Sequence, residues 1–239
     1  MMFKYQKVDN NIYIKILGIK ISYKDYSSYH KNKLLLVDNY GNKKRIFSPP
    51  NGINIIFQGK NSTIEIFDSE LFENVNIIAR SDSFVQIKKP HEWRIKNLFM
   101  EVSNHCNVII DENFNCVAGE LIACGYNNSI KIGRNCMFAR NFLIRTDDGH
   151  TLFDLNSKKA INKPQDVTLG EHIWLGESVS ILKGVSLNDN VVVATHSVVT
   201  KPIEDSNIII GGIPAKIVKK DIGWDRENFY PYSKKNGEI

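Results

Sequence analysis

The sequence predicts an all-β chain wound into a parallel β-helix solenoid, and two columns of apolar residues carry that prediction. Leu169, Leu175, Ile181, Leu187, Val193 and Val199 recur at every sixth position, while Ile173, Val179, Val185, Val191 and the small Ser197 form a second column four places on. A period of six is neither the 3.6 of a helix nor the simple alternation of a strand. It fits short flat segments that turn at regular intervals and stack, each coil burying its columns against the next. At 239 residues and 42% hydrophobic, the chain can hold a sizeable core.

Residues 1–52 read as a basic, β-rich N-terminal region. It has short alternating strands at Ile12–Ile16 and Leu34–Val37, and turns at Asp38–Asn42 and Ser48–Gly52. Residues 53–220 read as the solenoid. Its early part, with apolar runs at Ile53–Phe57, Ile64–Phe67, Val75–Ile78 and Val108–Ile110 separated by Asn-rich corners, keeps the six-residue register only in part, as terminal repeats of solenoids do. The register is clear at Ile132, Phe138 and Ile144, then breaks and resumes at Leu169, 25 residues later. An aperiodic loop over 145–166 therefore leaves the solenoid, and loops of that length are usually functional or disordered. This one contains Arg145-Thr-Asp-Asp-Gly-His150. Residues 221–239 read as a C-terminal tail.

Residues 1–60 hold 11 Lys/Arg against 3 Asp/Glu, and the remainder 20 against 23. The basic end favours an anionic partner, or is an ordinary solvated surface. Aromatics are interleaved there (Phe3, Tyr5, Tyr13, Tyr23, Tyr26, Tyr29) without an RNA-binding signature, so a nucleic-acid partner is not expected. The start lacks the apolar stretch of a signal peptide, and no run approaches the ~20 residues of a membrane span. Cys106, Cys116, Cys124 and Cys136 show no CxxC spacing, and Cys136 falls in the inward column. These features fit buried packing in the reducing cytoplasm.

The hexads, with Ile173-Trp174-Leu175-Gly176, Ser197-Val198-Val199-Thr200-Lys201 and Gly211-Gly212-Ile213-Pro214-Ala215-Lys216, resemble the hexapeptide-repeat acyltransferases, strongly over residues 130–222. Within that family the chain looks most like the capsule sialic-acid O-acetyltransferases, which also carry a loop histidine preceded by Asp-x and followed 24 residues later by the Trp of IWLG. The resemblance implies a left-handed parallel β-helix with three hexads per coil, a homotrimer, and transfer of an acetyl group from acetyl-CoA.

Such transfer needs a base for the acceptor hydroxyl, and a neutral imidazole suits that work near neutral pH. His150, on the only large excursion, is the candidate. Asp148 is the candidate to fix its tautomer, and Arg145 to bind the acceptor. No nucleophile elbow is evident, which favours direct transfer. Trp174 is expected either to pack or to shape the thioester end of the coenzyme A channel, with Gly176 admitting the pantetheine arm. The resemblance places Ala194 and Thr195 at a turn of that channel. It places Lys201, Lys216, Lys219 and Lys220 at the adenine end, where coenzyme A needs cations for its phosphates, and Pro214 among the coenzyme A contacts. Ile213 stands where relatives more often have Asn or Gly.

The expected activity is O-acetylation of a sugar hydroxyl in an anionic capsular or surface polysaccharide or oligosaccharide. The alternative is a small-molecule or sugar-nucleotide N-acetyltransferase of the same fold. A γ-carbonic-anhydrase-like zinc enzyme would draw on His105, His172 and His196. It needs a closely spaced pair, whereas His150, His172 and His196 lie 22 and 24 residues apart, so no metal is expected. A non-enzymatic binding module would leave His150 and its loop without a role.

Overall fold

The computed structural model describes residues 31–238 in full. It also describes the backbone of three antiparallel strands, Tyr5–Val8, Asn11–Ile16 and Ile19–Lys24. The side chains of residues 1–30, which carry much of the N-terminal basic charge and the aromatics among it, lie outside the described residues. From Lys33 onward the chain winds into a parallel β-solenoid whose coils visit three sheets in a fixed cycle.

The first sheet stacks Lys33–Val37, Thr63–Phe67, Phe84–Ile87, Asn107–Ile110, Ser129–Ile132, Val167–Leu169 and Ser186–Leu187. The second runs from Phe72–Glu73 through Pro90–Lys96, Phe114–Cys116, Met137–Phe138, Trp174–Leu175 and Val191–Val193 to Ile208–Gly212. The third runs from Ile53–Phe57 through Val75–Ala79, Leu98–Val102, Gly119–Ala123, Phe142–Arg145 and Ser180–Ile181 to Val198–Val199. At either end an antiparallel strand folds back on the ladder: Lys43–Ile46 on Lys33–Val37, and Ala215–Lys220 on Ile208–Gly212. The parallel ladder thus includes Lys33–Val37, which the sequence places ahead of the solenoid. An intervening hairpin, Lys33–Ile46, obscures the periodicity there.

The six-residue period follows from this geometry. Leu169 pairs with Leu187, Leu175 with Val193 and Ile181 with Val199, so three hexads bring the chain back to the same sheet. Both columns are buried, from Leu169 to Val199 and from Ile173 to Ser197. Earlier coils stack with the same order but are longer: Ile64, Val85, Val108 and Ile130 face one another at intervals of 21, 23 and 22 residues. Most of the extra residues sit in the corners, and some in an irregularity within Pro90–Lys96, so the columns stay aligned in space while their sequence spacing drifts.

The corners need left-handed backbone, which Asn, Asp and His tolerate best among residues with a Cβ. Asn113, Asn135, His172, Asn190 and Asn207 take positive φ at the corner entering the second sheet, and Asp82, His105 and Asn127 do so entering the first. Asn side chains then stack from coil to coil, as in Asn74 to Asn97 (2.9 Å) and Asn113 to Asn135 (2.7 Å). Among the described residues no buried side-chain polar atom lacks a hydrogen bond. No helix there is long and apolar enough to cross a membrane.

The middle of the core is aromatic. Phe138 meets Phe114 and Phe142 edge to face, with centroids 5.0 and 5.1 Å apart. Truncating Phe138 to Ala removes the ring that links the other two, and is expected to cost ~3–5 kcal/mol, read from urea unfolding. Burial pushes the Cys116 and Cys136 thiols up to about 12, while Cys124 is only partly buried. In the folded protein at mildly alkaline pH, Cys124 should alkylate first, and Cys116 and Cys136 only after unfolding, as mass spectrometry of the labelled peptides would show.

Candidate functional site

The break in register is a looped excursion with a closed neck. It leaves the third sheet after Arg145 and rejoins the first at Val167, and the Gln165 N–H donates to the Thr146 carbonyl (2.9 Å) to close its base. Thr146 is buried, its hydroxyl donating to the Cys124 carbonyl (2.6 Å) and accepting from the Cys124 N–H (2.8 Å). At the far end Asp166 accepts from the Ser129 N–H (2.8 Å). Inside the loop Phe153 bridges Ala160 in a small antiparallel turn, and Leu152, Phe153, Leu155 and Ile161 stand exposed.

Asn162 organises the His150 segment. Its amide donates to the His150 carbonyl (2.8 Å) and to Asp148 Oδ2 (2.9 Å), and its oxygen accepts from the Leu152 N–H (2.8 Å). Lys183, one coil later, donates to the Asn162 carbonyl (3.1 Å) and forms an ion pair with Asp148. Together they hold the loop over the corner between the third and first sheets, leaving His150 exposed.

This arrangement corrects the expected role of Asp148. Among the described residues its carboxylate binds Lys183 and Asn162, with no hydrogen bond to the His150 ring. The Lys183 ammonium, followed by the Asn162 amide, holds its carboxyl below the ordinary 3.8. Arg145 turns onto Asp147, donating to its carbonyl (2.5 Å) and to Oδ1 (3.3 Å), at the base of the loop.

The residues expected to meet coenzyme A lie mostly elsewhere. Trp174 is in the second sheet, 37% exposed, and among the described residues its N–H has no partner. Gly176 has a reason internal to the fold for lacking a side chain. A Cβ there would lie 2.7 Å from the Thr195 nitrogen and 3.0 Å from its hydroxyl, so the next coil by itself requires glycine. Ala194 sits under Gly211 of the terminal hairpin, whose Gly212 N–H donates to Ser197 (3.1 Å). Pro214, at the turn of that hairpin, and Lys216 and Lys219 on its outer strand are all exposed. Lys220 is tied to Asp205 (2.6 Å).

Trp174, Gly176, Ala194, Thr195, Pro214, Lys216 and Lys219 therefore share the second sheet and its corner into the third, with Lys201 one corner further on. His150, Asp148 and Arg145 occupy the corner opposite the second sheet. Within one chain these two groups are on different sides of the solenoid, except that Lys201 lies at the same corner as the loop, one coil beyond Lys183.

His105, His172 and His196 each occupy a separate left-handed corner. His105 lies 3.9 Å from Asp82 and against Tyr126, and His172 Nδ1 is 2.8 Å from Asn190 Oδ1. Among the described residues no three His, Cys, Asp or Glu side chains converge.

Asn162 and Lys183 escape sequence reasoning: a loop Asn and a corner Lys look like ordinary solvated residues. So does Trp224, in the C-terminal segment, which stacks on His172 (4.0 Å, 8° between planes) and lies 5.9 Å from Trp174.

No family model matches the chain. The polysialic acid O-acetyltransferase of Escherichia coli O1:K1 / APEC is 39% identical over 98 residues, 41% of this chain and 32% of the relative. That of Neisseria meningitidis is 30% identical over 138 residues, 57% of this chain and 64% of the relative. The chain thus spans about a third of one curated relative and just under two thirds of the other. The solved structure of the polysialic acid O-acetyltransferase OatWY is 30% identical, with a TM-score of 0.54, covering 79% of this chain and 86% of that one.

Asn162→Ala and Lys183→Met should release the loop without disturbing the buried columns. Limited proteolysis should then cut faster between residues 148 and 163, while unfolding stability stays within ~0.5 kcal/mol. Because the Asp148 carboxyl is depressed, its ion pair is complete above the ordinary value and is lost only as pH falls through the lowered one. Proteolysis of the loop should therefore be independent of pH through the neutral range.

Proposed function

The chain belongs to the hexapeptide-repeat acyltransferases, and from that premise we propose that it is an acetyl-CoA-dependent O-acetyltransferase. Its acceptor is a sugar hydroxyl of an anionic surface polysaccharide of the polysialic acid kind. The names of the relatives support the acceptor class, and the net positive charge of residues 1–60 suits an acidic polymer.

The reaction is direct. The His150 imidazole takes the proton of the acceptor hydroxyl as its oxygen attacks the thioester carbonyl. The carbon–sulfur bond then breaks, the ester forms, and the proton passes from the imidazolium to the departing thiolate. Asn162 and Lys183 fix the loop that carries the imidazole. Asp148 acts through them, as part of the anchor. The Trp174 N–H, free among the described residues, can donate a hydrogen bond beside the thioester. Lys201, Lys216 and Lys219 offer charges to the coenzyme A phosphates as mobile point cations.

One observation carries the mechanism: the His150 loop lies over the corner opposite the sheet that bears Trp174. A single solenoid cannot close that site. A symmetric trimer can, with the loop of one chain set against the second sheet of its neighbour, giving three sites. The exposed apolar residues of the loop, Leu152, Phe153, Leu155 and Ile161, supply the contact.

His150→Ala should lower kcat by ~10²–10⁴-fold on polysialic acid, with coenzyme A affinity unchanged. Mixing the impaired His150→Ala and Trp174→Ala chains by joint refolding should raise transfer well above that of either alone, because hybrid trimers contain interfaces with both residues intact. Persistent inactivity of well-formed hybrids, or a fully active monomer in sedimentation, would overturn the shared site. A near-normal His150→Ala rate would place the base elsewhere.

A further inference from the structure

The C-terminal segment runs back across the solenoid as an extended strap. The Ile222 N–H donates to the Asn207 carbonyl (3.0 Å), and the Trp224 indole N–H to the His172 carbonyl (2.9 Å). Arg226 donates to the carbonyls of Asn113 (3.0 Å), Asn135 (3.1 Å) and Cys136 (3.2 Å) and to the Asn115 side chain. Residues 222, 224 and 226 face the coils and 223 and 225 face solvent, the alternation of an extended chain. The carbonyls they reach belong to the left-handed corners that lead into the second sheet.

The Arg226 guanidinium also lies 5.9 Å from the ring centres of both Trp93 and Trp224. It is half-buried, so its charge is held among partners that cannot easily be exchanged for water. Trp224 is equally constrained. One face lies flat on the His172 ring, its N–H is used, and Arg226 stands over it. Trp174 differs: it is part-exposed, its N–H is free among the described residues, and the neighbouring ring on this side is Trp224 at 5.9 Å and 47°.

We propose that Trp224 is a positioning residue for transfer: bolted to the corner column by Arg226, it forms the wall that sets the ring plane of Trp174 and aims the free indole N–H. The proposal rests on the reading of Trp174 as a donor at the thioester. A ring with two free torsions, exposed on one side, holds one orientation only where a rigid neighbour excludes the others. Trp224 supplies that neighbour, and its own N–H is committed to His172.

The test is a double-mutant cycle on kcat/KM for acetyl-CoA, using polysialic acid as acceptor and the single and double variants Trp174→Ala and Trp224→Ala. Trp174→Ala is expected to lose ~100-fold and Trp224→Ala ~10-fold, with the double variant no worse than Trp174→Ala alone. Trp224→Phe, which keeps a ring over His172 but cannot donate, should lose ~3-fold and gives the answer if the alanine variant folds poorly. The near-ultraviolet dichroism couplet of the paired indoles should vanish equally in either single variant, and the KM for polysialic acid should not move. Multiplicative losses in the double variant, or normal kcat/KM in Trp224→Ala and Trp224→Phe with Trp174→Ala impaired, overturn the positioning role alone. A normal rate in Trp174→Ala overturns the reading on which it stands.

Discussion

A coil of eighteen residues can close only if the backbone turns sharply three times, and the left-handed corner residues make those turns. Each such corner strains a residue that carries a Cβ, and Asn, Asp or His stands at most of them because a short polar side chain eases that conformation. The Asn ladders return part of that cost through hydrogen bonds between coils. Once the corners stack, the three sheets stack with them, and the buried columns fall into line. The aromatic middle of the core, the neck of the loop and the anchorage of the strap are all referred to this corner column.

The site follows from where the corners allow insertions. A loop inserted in a flat strand would break a ladder, whereas one inserted at a corner leaves every strand of the coil in register. Residues 146–166 use the corner between the third and first sheets, and the ladder resumes with Ile132 opposite Leu169. Chemistry can therefore be added to this scaffold without loss of core. Its reach is limited, however, since the loop is tied to Lys183 on the same corner.

The regular half of the solenoid was legible because eighteen-residue coils leave a six-residue trace distinct from both the helix and the strand period. The early coils were less so: coils three to five residues longer than eighteen shift Val85, Val108 and Ile130 off the period although they occupy equivalent places. The loop and His150 were visible as an interruption of register. For Asp148, nearness in sequence suggested one partner, while within the chain its carboxylate meets Lys183, thirty-five positions on. The strap left no trace at all. Trp224 and Arg226 bind backbone carbonyls, and a carbonyl column has no sequence signature. Gly176 shows the reverse case, a position where the fold by itself already requires glycine.

The antiparallel strands at the two ends change how such a molecule behaves among copies of itself. A stack of parallel coils presents at each end a row of unpaired amides and carbonyls that would accept another coil, and with it another solenoid. Lys43–Ile46 occupies that position on the first sheet, carrying Lys43, Lys44 and Arg45, and Ala215–Lys220 occupies it on the second with Lys216, Lys219 and Lys220. Both added strands run the wrong way to propagate a parallel ladder, and both are positively charged, so like ends repel. On these two edges continued parallel stacking is opposed by the same hairpins that finish the folding.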